Sequence, residues 1–206
     1  LKKTEIGEIP ENWEVVRLGE MIKEIVRGVN FKSSELINNF SEETIPILRA
    51  TNMGEDDLIM KDLIYISANK VSPKQIIKEN DIILVASSGT RKLVGRSIFL
   101  KKKPLCNLAI GAFLYIIRTK ENYLLPFYLY SYLSSGMFEK YLNYLVGGTN
   151  INNLQKSHIE NFPIPLPPLP EQQEIAEILQ TIDQKIEIEK KKKELYEELF
   201  KTMLNK

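Results

Sequence analysis

Cysteine is nearly missing: Cys106 stands alone in 206 residues. One thiol closes no internal disulfide and builds no cysteine-rich zinc site, which points to a reducing compartment and a cytoplasmic location. Histidine is equally scarce. His158 sits in polar sequence between Lys156 and Asn161 with no second histidine or cysteine cluster, so a surface or capping role is expected and no metal site. No apolar run approaches the roughly 18 residues of a membrane span, and the first residues lack the charged-then-apolar order of a secretion signal. A soluble protein without membrane contact is the expectation. Net charge is nearly absent as well: 28 Lys and Arg against 27 Asp and Glu leave +1. No global field draws such a chain to nucleic acid, so any site of that kind is local.

Signatures of catalysis are also wanting. The segment Ser87-Ser88-Gly89-Thr90-Arg91-Lys92 lacks the Gly-x-x-x-x-Gly-Lys-Ser/Thr spacing that cradles a nucleotide, and no glycine-rich dinucleotide fingerprint occurs. Asn161-Phe162-Pro163-Ile164 departs at two positions from the Asn-Pro-Pro-aromatic pattern of amino-methyltransferases. Glu171 and Asp183 lie along one expected helix, too far apart to converge on a nuclease metal. A non-catalytic chain without cofactor is expected.

What is present divides the chain in two. An apolar content of 43% buries one good core and leaves residues for an extended appendage. Around Trp13, the residues Val15, Val16 and Leu18 read as a short buried strand or helix start. Strand-length runs then recur: Ile45 to Leu48, Leu63 to Ile66, Ile82 to Ala86 and Val94 to Leu100, with a further apolar stretch from Ala109 to Ile117. From Pro126 to Leu145, Phe127, Tyr130, Leu133, Phe138, Tyr141 and Leu145 fall at helical spacing. Five prolines between Asn161 and Pro170 forbid helix and favour an extended strap. The fold expected is α+β: a β-rich globular domain over residues 1–168, followed by a long helical region over 169–206.

The helix begins with Pro170 at a tolerant first position and Glu171 and Glu174 at the positive end of its dipole. No proline or glycine follows, so it runs toward the chain end. Ile175, Leu179, Ile182, Ile186, Glu189, Lys193, Tyr196, Phe200 and Met203 form a heptad seam, apolar at both ends and polar in the middle. Ile178, Leu195 and Leu199 widen the apolar ends, and Lys190 to Lys193 form a charged waist that a domain core would reject. A partner helix is favoured over folding back on the chain's own domain. Antiparallel pairing with a second copy would set Glu189 against Lys193.

Charge is unevenly spread. No acidic residue occurs between Asp81 and Glu121, whereas Arg91, Lys92, Arg96, Lys101, Lys102, Lys103, Arg118 and Lys120 do. Within this basic interval, Ser87, Ser88, Thr90, Arg91 and Lys92 form a small-polar loop suited to phosphates and guanine edges, with Arg96 just beyond. The alternative is an ordinary hairpin turn with a solvated basic face. A second loop offers Arg49, Thr51 and Asn52, side chains suited to guanine and adenine. A third, from Gly147 to Asn153, carries Thr149 and Asn150 and suits base reading or simple turns.

Three stretches then carry a resemblance. They are Ile9-Pro10-Glu11-Asn12-Trp13-Glu14 with Arg17-Leu18-Gly19, Ile45-Pro46-Ile47-Leu48-Arg49-Ala50-Thr51-Asn52-Met53, and Asn80-Asp81-Ile82-Ile83-Leu84-Val85-Ala86-Ser87-Ser88-Gly89. Together with the run from Ile159 through the prolines to Glu171-Gln172-Gln173-Glu174-Ile175-Ala176, this order resembles the specificity subunit of type I restriction-modification systems. The resemblance covers nearly the whole chain. It implies a target-recognition domain that reads half of a bipartite site in double-stranded DNA. It further implies a helical spacer that sets the distance between halves and docks methyltransferase and restriction subunits. The family's usual chain carries two such domains, and here one is visible, so a homodimer reading an interrupted palindrome is expected. Competing readings are the recognition domain of a larger methyltransferase or nuclease, and a coiled-coil adaptor for other proteins.

Overall fold

The computed structural model describes residues 1–55, 57–89, 93–145 and 153–204. In chain order the elements are β1 (Lys2–Thr4), β2 (Gly7–Ile9), β3 (Glu14–Arg17), α1 (Leu18–Met21), β4 (Ile22–Arg27), β5 (Thr44–Leu48), β6 (Ile64–Ser67), β7 (Ile82–Val85), β8 (Ser97–Phe99), β9 (Ala109–Ile110), β10 (Leu114–Thr119), α2 (Pro126–Ser134), α3 (Met137–Leu145), α4 (Lys156–Glu160), β11 (Pro163–Leu166) and α5 (Leu169–Leu204). Short 3-10 turns fill several of the connections. The class is α+β, a β-rich body with one long terminal helix.

The central sheet has the order β4-β10-β7-β8, and every neighbouring pair in it is antiparallel. Its middle strands are buried on both faces. Ile82, Leu84, Tyr115 and Ile117 point into a core shared with α2, α3 and α4. Their sequence neighbours Ile83, Val85, Leu114 and Ile116 point the opposite way, into a second core with Leu48, Leu108 and Ile110. Double-sided burial is why these strands read as unbroken apolar runs and not as an alternation. Each fully buried aliphatic chain contributes about 1.5–3 kcal/mol relative to exposure. A smaller sheet, β6-β5-β9, closes the second core, and its outer face carries Val29, Ile45 and Ile66 in a third cluster.

The proline-rich strap is partly a strand. β11 pairs only with β3, so Pro163 and Pro165 lie on an edge where a missing N–H breaks no second ladder. Two expectations are refined by geometry. The apolar stretch from Ala109 to Ile117 is two strands, β9 and β10, separated by a tight turn closed by Leu114 N–H donating to the Gly111 carbonyl at 2.9 Å. The helical stretch from Pro126 to Leu145 is two helices, because Gly136 adopts φ +80 between them.

The base of α5 is firmly held. Gln172 is fully buried. Its amide nitrogen donates to the carbonyls of Tyr123 (2.9 Å) and Pro167 (2.8 Å), and its oxygen accepts from Leu125 N–H (2.9 Å). The Glu171 carboxylate takes hydrogen bonds from Asn12 and from the Trp13 indole, each at 2.7 Å, tying the helix start to the N-terminal segment. Ala176 is buried and Ile175 packs on the first core. From Gln184 to Leu204 every residue is exposed. No helix among the described residues is long and apolar enough to cross a membrane.

Candidate nucleic-acid interface

One end of the central sheet gathers the described parts of the loops singled out in the sequence. The β9–β10 turn, Gly111 to Phe113, occupies its middle. Gly111 N–H donates to the Leu48 carbonyl at 2.8 Å, immediately before Arg49. The Phe113 carbonyl accepts from Ala86 (2.8 Å) and Ser87 (3.2 Å) N–H, and the end of β4 reaches in through Gly28 N–H to the Leu114 carbonyl (3.1 Å). The fit is tight: a Cβ on Gly28 would lie 2.1 Å from the Gly111 oxygen, so only glycine passes there. Leu154 N–H donates to the Ala86 carbonyl at 2.7 Å, which brings the segment before α4 to the same place.

Local chemistry shapes each loop. After β5 the chain turns through Ala50–Asn52, and Asn52 is 2% exposed. Its carboxamide oxygen accepts from Arg49 N–H (3.0 Å), and its nitrogen donates to the Ile59 (3.0 Å) and Lys61 (2.9 Å) carbonyls. Asn52 therefore folds its own loop. Arg49 donates from Nη2 to the Asp62 carbonyl at 2.8 Å, while its buried Nε has no protein partner, and Thr51 is exposed. Arg96 is half-buried and donates from Nη1 to the Gly54 carbonyl at 3.1 Å, lashing the two loops together. Ser87 and Ser88 are half-buried at the end of β7, with Ser87 bridged to Asn153. Thr90, Arg91, Lys92, Thr149 and Asn150 lie outside the described residues. Phe113, which composition did not single out, is 59% exposed at the tip of the central turn. The signal for it was Gly111, a glycine interrupting an apolar run.

Among the described residues the basic interval does not form one surface. Strand register places Leu114 opposite Val85 at the loop end and Ile117 opposite Ile82 at the other. Arg118 is at that far end, where Nε and Nη2 grip Asp81 at 2.7 and 2.8 Å and Nη1 meets Glu24 at 2.9 Å. Its side chain is 12% exposed and that of Asp81 3%. The Asp81 hydrogen bonds raise the Arg118 pKa against the opposing effect of burial, and the Arg118 hydrogen bond holds the Glu24 carboxyl below its ordinary value. Lys120 donates to the Glu20 carbonyl at 2.8 Å, and Lys101 to Lys103 follow Phe99, the register partner of Ile82, also at the far end. Of the basic side chains in the interval, Arg96 alone among the described residues is at the loop end. No cluster of three or more His, Cys, Asp or Glu is placed to hold a metal among the described residues.

Along α5, Ile175 and Leu179 are half-buried, while Ile178, Ile182, Ile186, Glu189, Lys193, Tyr196, Leu199, Phe200 and Met203 are exposed. The waist is stitched along its own helix by Lys191–Glu187 (2.7 Å) and Lys192–Glu189 (2.6 Å). Its apolar flanks are left open to water.

Comparison with known proteins fits this architecture. The chain is 31% identical over 176 residues to the type I restriction enzyme StySPI specificity subunit of Salmonella potsdam, covering 85% of this chain and 37% of that one. It is 32% identical over 209 residues to the MjaVIII specificity subunit of Methanocaldococcus jannaschii, covering 99% of this chain and 47% of that one. The chain thus spans less than half the length of these relatives. The HsdS subunit from Thermoanaerobacter tengcongensis shares the fold, with a TM-score of 0.63 at 24% identity over 88% of this chain and 40% of that one. The profile of the type I restriction modification DNA specificity domain matches residues 10–198, and the chain belongs to that family.

Proposed function

We propose that this chain is a sequence-specific DNA-binding specificity subunit of a type I restriction-modification complex that reads half of a bipartite site. One observation carries the reading: polar and basic loops converge at one end of a stiff sheet, while a helix with open apolar flanks is fastened at the other. Arg49, Thr51, Ser87, Ser88, Thr90, Arg91, Lys92, Arg96, Thr149 and Asn150 contact the duplex, and Asn52 shapes the loop that presents Arg49 and Thr51. Residues 1–168 are the target-recognition domain, and 169–206 the spacer.

The spacer pairs with that of a second copy in antiparallel fashion. A two-fold axis at Lys191 sets Leu179 against Met203, Ile182 against Phe200, Ile186 against Tyr196 and Glu189 against Lys193. Every apolar seam residue in that span then meets an apolar partner, and the waist pairs opposite charges. Methyltransferase and restriction subunits dock on this assembly and supply the chemistry; the chain itself is non-catalytic, needs no cofactor and works in the cytoplasm.

Selection of bound duplexes from a random pool tests the proposal. Enrichment of an interrupted palindrome is expected. Recovery of asymmetric bipartite sites would overturn the symmetric dimer, and failure to enrich any sequence would overturn DNA reading. Methylation or cleavage by the purified chain alone would favour a larger enzyme's recognition domain instead.

A further inference from the structure

We propose that Phe113 is a base-reading residue whose ring edge meets the C5 methyl group of a thymine in the major groove. The assignment rests on the loop end being the DNA-facing end. A lone exposed aromatic is ordinary on a protein surface. What distinguishes Phe113 is how its backbone is held. The turn that carries it is closed by Leu114 N–H to Gly111 at 2.9 Å and anchored by Gly111 N–H to Leu48 at 2.8 Å. The Ala112 carbonyl accepts from Arg27 Nε at 3.1 Å, and the Phe113 carbonyl accepts from Ala86 and Ser87. Three separate chain segments thus fix the backbone from which one apolar ring projects, between the loop after Leu48 and the loop after Val85.

Apolar side chains recognise thymine by its C5 methyl, which the other bases do not present in the major groove. Insertion between base pairs is the other use of an exposed apolar side chain on DNA, and it needs a ring that projects freely. Phe113 is 59% exposed and so not fully projecting, and the clamped turn fixes the depth of the backbone that carries it. An edge contact suits such a ring.

The test uses the full chain and the duplex recovered by selection, with each thymine replaced singly by uracil to remove only the methyl group. One replacement is expected to weaken wild-type binding about fourfold, the fold-change that burying one methyl group corresponds to. Phe113→Ala is expected to bind the thymine and uracil duplexes equally, with an unchanged salt dependence and melting temperature. Phe113→Leu retains part of the preference. The assignment is overturned if Phe113→Ala keeps the full thymine preference, or if wild type is indifferent to every replacement. Bright 2-aminopurine fluorescence beside the site in the wild-type complex and not the Phe113→Ala complex would show insertion and overturn it too. A wild-type chain that enriches no sequence overturns the DNA reading and this assignment together, whereas a negative methyl comparison overturns the assignment alone.

Discussion

Removing the Arg118 guanidinium leaves the Asp81 carboxylate buried without a counter-charge. Arg118→Met should therefore cost about 3–5 kcal/mol in urea unfolding, the usual consequence of breaking one partner of a buried pair. Specific DNA affinity per folded molecule should barely change, because Arg118 lies at the far end of the sheet. Glu24 adds a pH signature. Its carboxyl titrates below the ordinary 4.5 in the folded chain, chiefly because Arg118 hydrogen-bonds its charged form. The unfolded chain therefore takes up the proton first as pH falls. This contribution is complete above about pH 4.5 and is lost as pH drops through the lower, folded value. Urea midpoints measured across that range should fall less steeply for Glu24→Gln than for wild type. At this scale the sequence names side chains without naming their partners. Arg118 and Asn52 look like DNA contacts by residue type, yet their partners are fixed by tertiary structure. Asn52 reaches Ile59 and Lys61, seven and nine residues later, a closure that no composition rule detects.

Among the elements, the helix α5 was the most legible. Its start at the last proline of the run, its length and its amphipathic pattern all follow from local chemistry, and the strands β5 and β7 follow from dense β-branched residues. β4 was not visible, because Lys23, Glu24 and Arg27 interrupt its apolar positions and only pairing with β10 makes it a strand. The turn at Gly111 was hidden inside an apolar run because burial there comes from two cores on opposite faces. The open flanks of α5 make their own prediction. Ile186→Glu with Phe200→Glu places carboxylates in both apolar halves of the seam, and should weaken self-association roughly a hundredfold or more. Sedimentation velocity would then report a monomer, and the melting temperature of the body would be unchanged, since neither side chain touches it.

For the whole molecule, the proposed interface makes the effect of a charge depend on where it stands in the chain. Arg91→Glu with Lys92→Glu should cut DNA affinity at all sequences and lower the salt slope by about one for each phosphate that is no longer neutralised. The same reversal at Lys101 and Lys102 should leave both nearly unchanged, because those lysines follow the far end of β8. Filter binding across a salt series separates the two outcomes, and equal effects of the two reversals would contradict the placement of the interface. Finally, α5 is a 36-residue rod, about 54 Å long at 1.5 Å per residue. Rotating such a lever by about 4° at its pivot swings the far tip by roughly 4 Å, close to the ~3.4 Å rise of one base pair. In the proposed dimer, angular play where Gln172 and Glu171 fasten this rod would translate directly into error in the separation of two recognition domains, so the accuracy of the span would be set by how stiffly these few contacts hold the pivot.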